Sequence, residues 1–450
     1  MHSLNKNIRL HLGHPLHRWA QTPSHSSSSN GLSRQHRSHL RYSLVRCCCA
    51  LVSCLSSTSR CRNLSLKSFR AAQLSSSLPV VEKRLVQPRR FLQKTGRSSS
   101  TPALPEDKID DVNENEAYGL HSLPPIIYHP EYSIPWPERH RFAMWKFEDL
   151  AEFLIEHRIV RSFDDFVEPE YPPDEWMLLV HGKKYYQEFI TGTLDPDLMR
   201  RTGFSQRPNH QELVKRTKLE VAGTVLSARL ALKHGLSLHV GGGTHHAHKD
   251  WGAGYTCIND LAVAARLMQK ENLAERVLIV DCDVHQGDGT AEIFKEDQSV
   301  YTFSMHCAQN FPFGFNVKSL SYLGQDRSDL DIGLPQGCKD DEYMEELTTH
   351  LPRVIQEVKP DLILYIGGID VWEGDALGKL SITEDGIFER DRFVVDLALQ
   401  SGIPISCMIG GGYDQNRKRL AKRHSIVHRA AIEVWREYRG FDQTGKATHA

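Results

Sequence analysis

The stretch VLIVDCDVHQGDGT, residues 277–290, joins four apolar residues directly to a run of charged and polar ones. Val277–Val280 has the length and composition of a buried strand. Side chains alternate along an extended chain, so Asp281, Asp283 and His285 share one face of it. Three ionisable groups at the end of a buried strand are costly without partners, because burial removes their hydration. The stretch therefore predicts a buried strand that ends in a site for a cation.

Three other short apolar runs end in the same abrupt way, at glycine: LSLHVGGG, DLILYIGG and IPISCMIGGG. Helical periodicity appears between the runs, in the segments FEDLAEFLIEHRIV, LVKRTKLEVAGTVLSARLALKHG, DLAVAARLMQKENL and IFERDRFVVDLALQSG. Strand alternating with helix predicts an α/β fold with a mostly parallel central sheet and helices on both faces. We expect one globular domain over residues 120–440.

Parallel strands bring their carboxyl ends to one edge of a sheet, where ligands bind. Asp283 and His285 follow one strand and Asp370 follows another, so the three can share a divalent cation. Three protein ligands with an open position form the pattern of a catalytic zinc site. The alternative is a surface turn with solvated carboxylates, which charges placed directly after buried apolar runs disfavour.

Two histidines and a tyrosine follow the glycine-rich ends of two further strands. Near neutral pH, His245 and His246 can accept a proton from a water molecule that a metal activates. Each imidazole needs a partner on its second nitrogen, a role that Asp281 and Asp288 suit. Tyr413 can donate a hydrogen bond to a substrate carbonyl, although a ring packed against a turn is the alternative. Together these groups predict metal-assisted hydrolysis of an acyl derivative.

The first part of the chain has a different composition from the rest. Residues 1–81 contain 11 of the 55 Lys and Arg residues and no Asp or Glu. A Ser- and Arg-rich segment without acids is typical of an organelle transit peptide. We therefore predict a disordered transit segment and linker over residues 1–110, and a location in the chloroplast or mitochondrion. The alternative is a disordered basic tail on a nuclear or cytoplasmic protein.

The remainder of the chain is acidic, with 44 basic against 56 acidic residues and a net charge of −12. This charge disfavours nucleic acid as a direct partner. No segment approaches the roughly 20 apolar residues of a membrane-spanning helix, so we expect no membrane partner. The ten cysteines form no CxxC pair, which indicates free thiols rather than a structural zinc site.

These residues resemble the histone deacetylase family. The resemblance covers Tyr128 to Arg439, some two-thirds of the chain, through YHPEY, PERHRFAM, GGGTHHA, VDCDVHQGDGT, FSMH, GGIDVWEGDALGKLSIT and GGGYD, all in family order. HQGDGT and EGDALGKLSIT look closest to the class IV branch and to bacterial deacetylase-like amidohydrolases. The resemblance implies a single arginase/deacetylase-like domain and zinc-dependent hydrolysis of N-acyl-lysine, as in chromatin regulators. Small N-acyl amines and lysines with long acyl chains are the alternative substrates.

The resemblance places the metal ligands, the acid–base histidines, their carboxylate partners and the tyrosine at the positions proposed above. It adds tunnel residues for the acyl-lysine arm, with a tyrosine where the family usually has phenylalanine: Gly254, Tyr255 and Phe311. It implies that Arg141 lines an acetate-release channel. Leu377 stands where polyamine-selective relatives carry an acid, and its apolar side chain disfavours a cationic substrate. A structural potassium ion is implied at Asp281, Asp283, His285, Ser304 and Met305.

Two competing functions remain open. A two-metal ureohydrolase on the same fold would need further carboxylates for its second ion. A non-catalytic binding protein would keep only the pocket. The sequence has no clear counterpart of the class I rim aspartate that grips the substrate backbone.

Overall fold

The computed structural model describes residues 123–205, 209–312 and 327–439. The predicted transit segment and linker, residues 1–110, lie outside this range. Seven strands are found in the described residues: β1 (Ile126–Ile127), β2 (Leu236–His239), β3 (Val277–Asp281), β4 (Val300–Cys307), β5 (Leu330–Leu334), β6 (Leu362–Ile366) and β7 (Ile405–Met408).

The strands form one sheet in the order β1-β2-β7-β6-β3-β4-β5, and every pairing between neighbours is parallel. The predicted α/β class with a parallel sheet is confirmed. β3 lies between β6 and β4, and all five of its residues are buried. Because a central parallel strand is covered on both faces, its first four residues are all apolar rather than alternating, and only Asp281 at its end is charged. The carboxyl ends of β3 and β6 therefore open side by side at one edge of the sheet.

Helices connect and flank the strands: α1 (Lys146–Glu156), α2 (Asp174–Met177), α3 (Lys183–Thr191), α4 (Pro196–Arg201), α5 (His210–His234), α6 (Asp260–Lys270), α7 (Asp288–Phe294), α8 (Asp340–Val358), α9 (Glu384–Gln400) and α10 (Arg417–Arg439). Side-chain caps define several of their starts. The Asn259 side chain accepts the Ala262 N–H at α6, and Thr383 Oγ1 accepts the Gly386 N–H at α9. No helix in the described part of the chain is long and apolar enough to cross a membrane.

A buried arginine joins the ends of the two central strands. Arg390 lies in α9, and its Nη1 donates to the carbonyl oxygens of Cys282 at 3.0 Å and Gly368 at 2.7 Å. Its charge is balanced by Asp391, 2.8 Å away, and both side chains are fully buried. Cys282 follows β3 and Gly368 follows β6, so this one guanidinium holds the backbone at both strand ends.

Replacing Arg390 with methionine is expected to lower the free energy of unfolding by about 3–5 kcal/mol, because it leaves the Asp391 carboxylate buried without its cation. Urea unfolding followed by circular dichroism measures this loss. The matched control is Arg353→Met, which breaks a solvent-exposed pair with Glu357 and should leave the free energy of unfolding nearly unchanged. Similar losses in the two variants would show that Arg390 does not stabilise the strand ends.

Candidate metal and active site

Asp283, His285 and Asp370 converge beyond the ends of β3 and β6. Their potential ligand atoms all lie within 4.8 Å of one another, and the three side chains are buried. His285 Nδ1 is 3.0 Å from Asp283 Oδ1 and 3.2 Å from Asp370 Oδ2. Despite that proximity, Asp370 Oδ2 accepts no well-formed hydrogen bond from the described residues. The triad thus offers an unused buried oxygen beside two further ligands, a set that can hold one metal ion.

The charge balance of this triad also fits a cation. Burial raises the pKa of Asp370 to about 6, and the charge of Asp283 contributes to the increase. Burial opposes protonation of His285, but its contacts with the two carboxylates outweigh this effect and raise its pKa to about 10. The carboxylates therefore attract positive charge to this point. A divalent cation satisfies the same demand with the imidazole deprotonated, as metal ligation requires.

Two glycines beside the triad lack side chains that would otherwise collide with its carboxylates. A Cβ atom on Gly368 would lie 2.5 Å from Asp283 Oδ2, and one on Gly411 would lie 2.1 Å from Asp370 Oδ2. The Gly411 N–H also donates to Asp283 Oδ2 at 2.7 Å. A side chain at either position would overlap with a carboxylate of the triad, so backbone and carboxylates can approach this closely only because both residues are glycine.

His245 and His246 lie next to the triad, with ring centroids 4.1 Å apart. His245 Nδ1 is 2.6 Å from Asp281 Oδ2, and His246 Nδ1 is 2.6 Å from Asp288 Oδ1. Each histidine therefore faces one of the two carboxylates that the sequence analysis proposed as partners for the pair. Because Nδ1 of each ring is engaged in this way, Nε2 is the nitrogen left for proton transfer.

The two histidines differ in charge. Burial disfavours the protonated form of His245, but Asp281 and Asp283 outweigh this effect and raise its pKa to about 9. Burial lowers the pKa of His246 well below its usual value, and repulsion from the cationic His245 lowers it further. The two rings therefore differ in tendency, since the carboxylates favour a protonated His245 and burial favours a neutral His246.

Tyr413 follows the glycines at the end of β7. Its ring centroid is 5.9 Å from that of Tyr255 and 6.2 Å from that of His285. Burial raises the pKa of its phenol well above the usual value, as do the nearby carboxylates of Asp370 and Asp283. The phenol therefore keeps its proton and can act as a hydrogen-bond donor.

Three of the predicted tunnel residues lie beside His246 or Tyr413. Gly254 lies against His246, since a Cβ on it would come within 2.4 Å of the imidazole. The Phe311 ring is 4.8 Å from that of His246, whereas Tyr255 lies on the Tyr413 side. Leu377 is half-buried and is joined through its carbonyl oxygen to the Asn310 side chain, next to Phe311.

The predicted role of Arg141 at an acetate-release channel stays a prediction. Arg141 is exposed and does not line the cavity beside the triad. The buried cation in that cavity is Lys146, whose Nζ donates to the Gly410 carbonyl oxygen at 2.9 Å. Burial lowers the pKa of Lys146 to about 8. Lys146 begins α1, five residues after Arg141, and its side chain faces inward.

The residues implied for potassium lie around the ends of β3 and β4. Asp281 pairs with Ser304 in the register of these strands, and Met305 follows on β4. Their polar side chains have other partners, since Asp281 contacts His245 and the Ser304 hydroxyl is 2.9 Å from His306 Nδ1. A potassium ion here would therefore depend mainly on backbone oxygens.

Sequence reasoning missed Asp375, whose carboxylate holds the backbone of Tyr413. The Tyr413 N–H donates to Asp375 Oδ2 at 2.7 Å. The only sequence signal was a further aspartate five residues after Asp370.

Comparison with known proteins identifies the family. A family model for the histone deacetylase domain matches residues 140–428. An uncharacterised protein of Picosynechococcus sp. (strain PCC 7002) is 46% identical over 311 residues, covering 69% of this chain and 99% of that protein. Histone deacetylase 2 of Arabidopsis thaliana is 27% identical over 66% of this chain and 76% of its own length.

More distant relatives agree with this. The acetoin utilization protein AcuC of Staphylococcus aureus (strain MRSA252) is 29% identical over 62% of this chain and 73% of its own length. The crystal structure of the HDA15 HD domain superposes with a TM-score of 0.55 at 20% identity, over 69% of this chain and 90% of that one, which supports the fold. The chain therefore belongs to the histone deacetylase family and is a hydrolase that acts on amide bonds.

Proposed function

We propose that this chain is a zinc-dependent lysine deacylase, which hydrolyses N-acyl-lysine in proteins to lysine and a carboxylic acid. The observation that carries the proposal is one constellation around one cavity. The triad, a pair of histidines backed by carboxylates and a protonated phenol all lie at the same edge of the sheet. These groups are suited to splitting an amide with water.

Asp283, His285 and Asp370 would hold the zinc ion. Two carboxylates and one imidazole are a ligand set that leaves a catalytic zinc an open position. When bound, the ion would supply a Lewis acid that polarises the acyl carbonyl and makes a water molecule more acidic. A structural potassium ion near Asp281 and Ser304 belongs to the same proposal.

His246 would be the general base. It is the neutral member of the pair, and its Nδ1 contact with Asp288 leaves Nε2 to take a proton from the attacking water. The same nitrogen would then give that proton to the departing lysine amine. His245, held in its charged form by Asp281, would stabilise negative charge that develops at the carbonyl. His246 would thus carry out the proton transfers, and His245 would stabilise the developing charge.

Tyr413 would donate its phenolic proton in a hydrogen bond to the carbonyl oxygen as that oxygen gains negative charge. Gly254, Tyr255, Phe311 and Leu377 would line the path of the lysine side chain. Because Leu377 is apolar, the path favours the uncharged acyl-lysine arm over an acetylpolyamine, whose amines are cationic.

The substrate test uses the purified chain with two panels. One contains lysine peptides that carry acetyl, propionyl, butyryl and longer acyl groups, and the other contains N-acetylated small amines and polyamines. We expect turnover of acyl-lysine peptides, its loss after treatment with a zinc chelator, and its recovery on adding zinc. Acetylpolyamines should be hydrolysed poorly.

Metal analysis of the same preparation separates the alternatives. One zinc ion per chain supports the deacylase, whereas two manganese ions with guanidine hydrolysis would favour the ureohydrolase. Stoichiometric zinc without hydrolysis of any acyl amide would reject the proposal and favour a binding protein.

We also propose that residues 1–110 direct the protein to the chloroplast or mitochondrion, on the basis of the basic, acid-free composition of residues 1–81. Acylated proteins of that organelle would then be the substrates rather than nuclear histones. Imaging the full chain fused to a fluorescent protein tests this location, and a nuclear or cytoplasmic signal would contradict it.

A further inference from the structure

A single carboxylate joins the Tyr413 loop to the wall that contains Leu377. Asp375 Oδ1 accepts the backbone N–H groups of Leu377 at 2.8 Å and Gly378 at 2.9 Å. Its Oδ2 accepts the backbone N–H of Tyr413 at 2.7 Å. The loop that follows β7 and the turn that follows β6 are therefore connected through the two oxygens of one side chain.

The other connections of this loop do not fix Tyr413 in the same way. The Ala376 N–H donates to the Tyr413 carbonyl oxygen at a longer distance, 3.2 Å. The neighbouring Asp414 is held from α10 by Arg419 and Arg423. These contacts keep the loop attached on its carboxyl side, whereas Asp375 is the carboxylate that contacts the amide of Tyr413 itself.

We propose that Asp375 is a positioning residue that sets the place of the Tyr413 hydroxyl relative to the reacting carbonyl. The inference rests on the proposed function, because it assumes that Tyr413 donates to that carbonyl. The Asp375 carboxylate contacts backbone amides, and its effect on the reaction passes through Tyr413. A displacement of about 1 Å in a group that stabilises the transition state can cost about 10²-fold in rate.

Asp375→Asn is the informative substitution, because it keeps the size of the side chain and removes one of its two acceptors. An asparagine has one carbonyl oxygen, so it can serve the Leu377 and Gly378 amides or the Tyr413 amide, but not both. Its NH₂ group, which is itself a donor, then faces a backbone N–H that has lost its acceptor. We expect kcat to fall by about 10- to 100-fold, with little change in KM or in zinc content.

A double-mutant cycle with Tyr413→Phe provides the readout that a purely structural role would not give. If Asp375 acts through the Tyr413 hydroxyl, Asp375→Asn should lower kcat in the parent chain but have less than about a twofold effect when Tyr413 is already Phe. Multiplying effects in the double variant would overturn the inference. Full activity of Tyr413→Phe alone would instead reject the proposed function and the inference with it, so the two failures are distinguishable.

The matched control is Asp361→Asn. Asp361 also accepts two backbone N–H groups, from Glu275 and Arg276, but it precedes β6 at the opposite edge of the sheet. We expect it to leave kcat unchanged in both backgrounds. If Asp375→Asn fails to fold, hydrogen exchange at the Tyr413 amide of the unmodified full chain tests the inference instead. A protected Tyr413 amide supports the inference, and exchange as fast as that of an exposed loop overturns it.

Discussion

His246→Ala is expected to lower kcat by about 10²–10⁴-fold, the range found for loss of a general acid–base group. The reason is its charge state, since burial and the cationic His245 keep the imidazole neutral and able to accept a proton. The residue contributes no ligand to the triad, so zinc content should change little. Single-turnover deacylation of an acetyl-lysine peptide measures the effect on the chemical step.

His245→Ala should cause a smaller loss, because Asp281 favours the protonated form of His245, which can stabilise charge but cannot serve as the base. A larger loss for His245 than for His246 would reverse these roles. His350→Ala, on the partly exposed face of α8, controls for nonspecific effects of removing an imidazole and should retain full activity.

Tyr413→Phe is the second large effect that we expect, a loss of about 10²–10³-fold in kcat with KM nearly unchanged. The phenol forms its hydrogen bond most strongly when the carbonyl oxygen carries negative charge, so its loss is felt in the transition state rather than in substrate binding. Steady-state kinetics on the best peptide of the substrate panel measure both constants.

The neighbouring Tyr255 offers a control within the same cavity. Tyr255→Phe also removes one hydroxyl, from a ring whose centroid is 5.9 Å from that of Tyr413, but it leaves the proposed donor in place. We expect less than about a fivefold change in kcat for this variant, because its hydroxyl has no assigned role at the carbonyl. Equal losses in the two Tyr→Phe variants would mean that the cavity responds to polarity in general.

The sequence was sufficient to predict the strands that carry the site. β2, β3, β6 and β7 are short runs of apolar residues that end at glycine or aspartate, and each pattern could be read locally. β1, β4 and β5 were not predicted as strands. β1 has two residues and β5 lies at the edge. β4 alternates apolar residues with Thr302, Ser304 and His306, which is a strand pattern but not the continuous apolar run by which the other strands were predicted.

Within the site, too, some residues could be predicted from the sequence and others could not. The triad residues and histidines follow strand ends, and parallel topology brings strand ends together without any knowledge of packing. Lys146 and Asp375 depend on side-chain direction and on hydrogen bonds to distant backbone amides. Neither has a signature in spacing, and lysine is ordinarily exposed, so a buried Lys146 runs against the usual expectation.

The glycines beside the triad bear on how inactive relatives are recognised. A protein that keeps Asp283, His285 and Asp370 but carries a larger residue at the position of Gly368 or Gly411 would pass any comparison restricted to polar residues. Its carboxylates could not occupy the positions seen here, because a Cβ atom would take their place. Such a protein would be a pseudoenzyme with an intact set of apparent ligands. A survey that separates working enzymes from pseudoenzymes should therefore examine these two glycines together with the three metal-binding side chains.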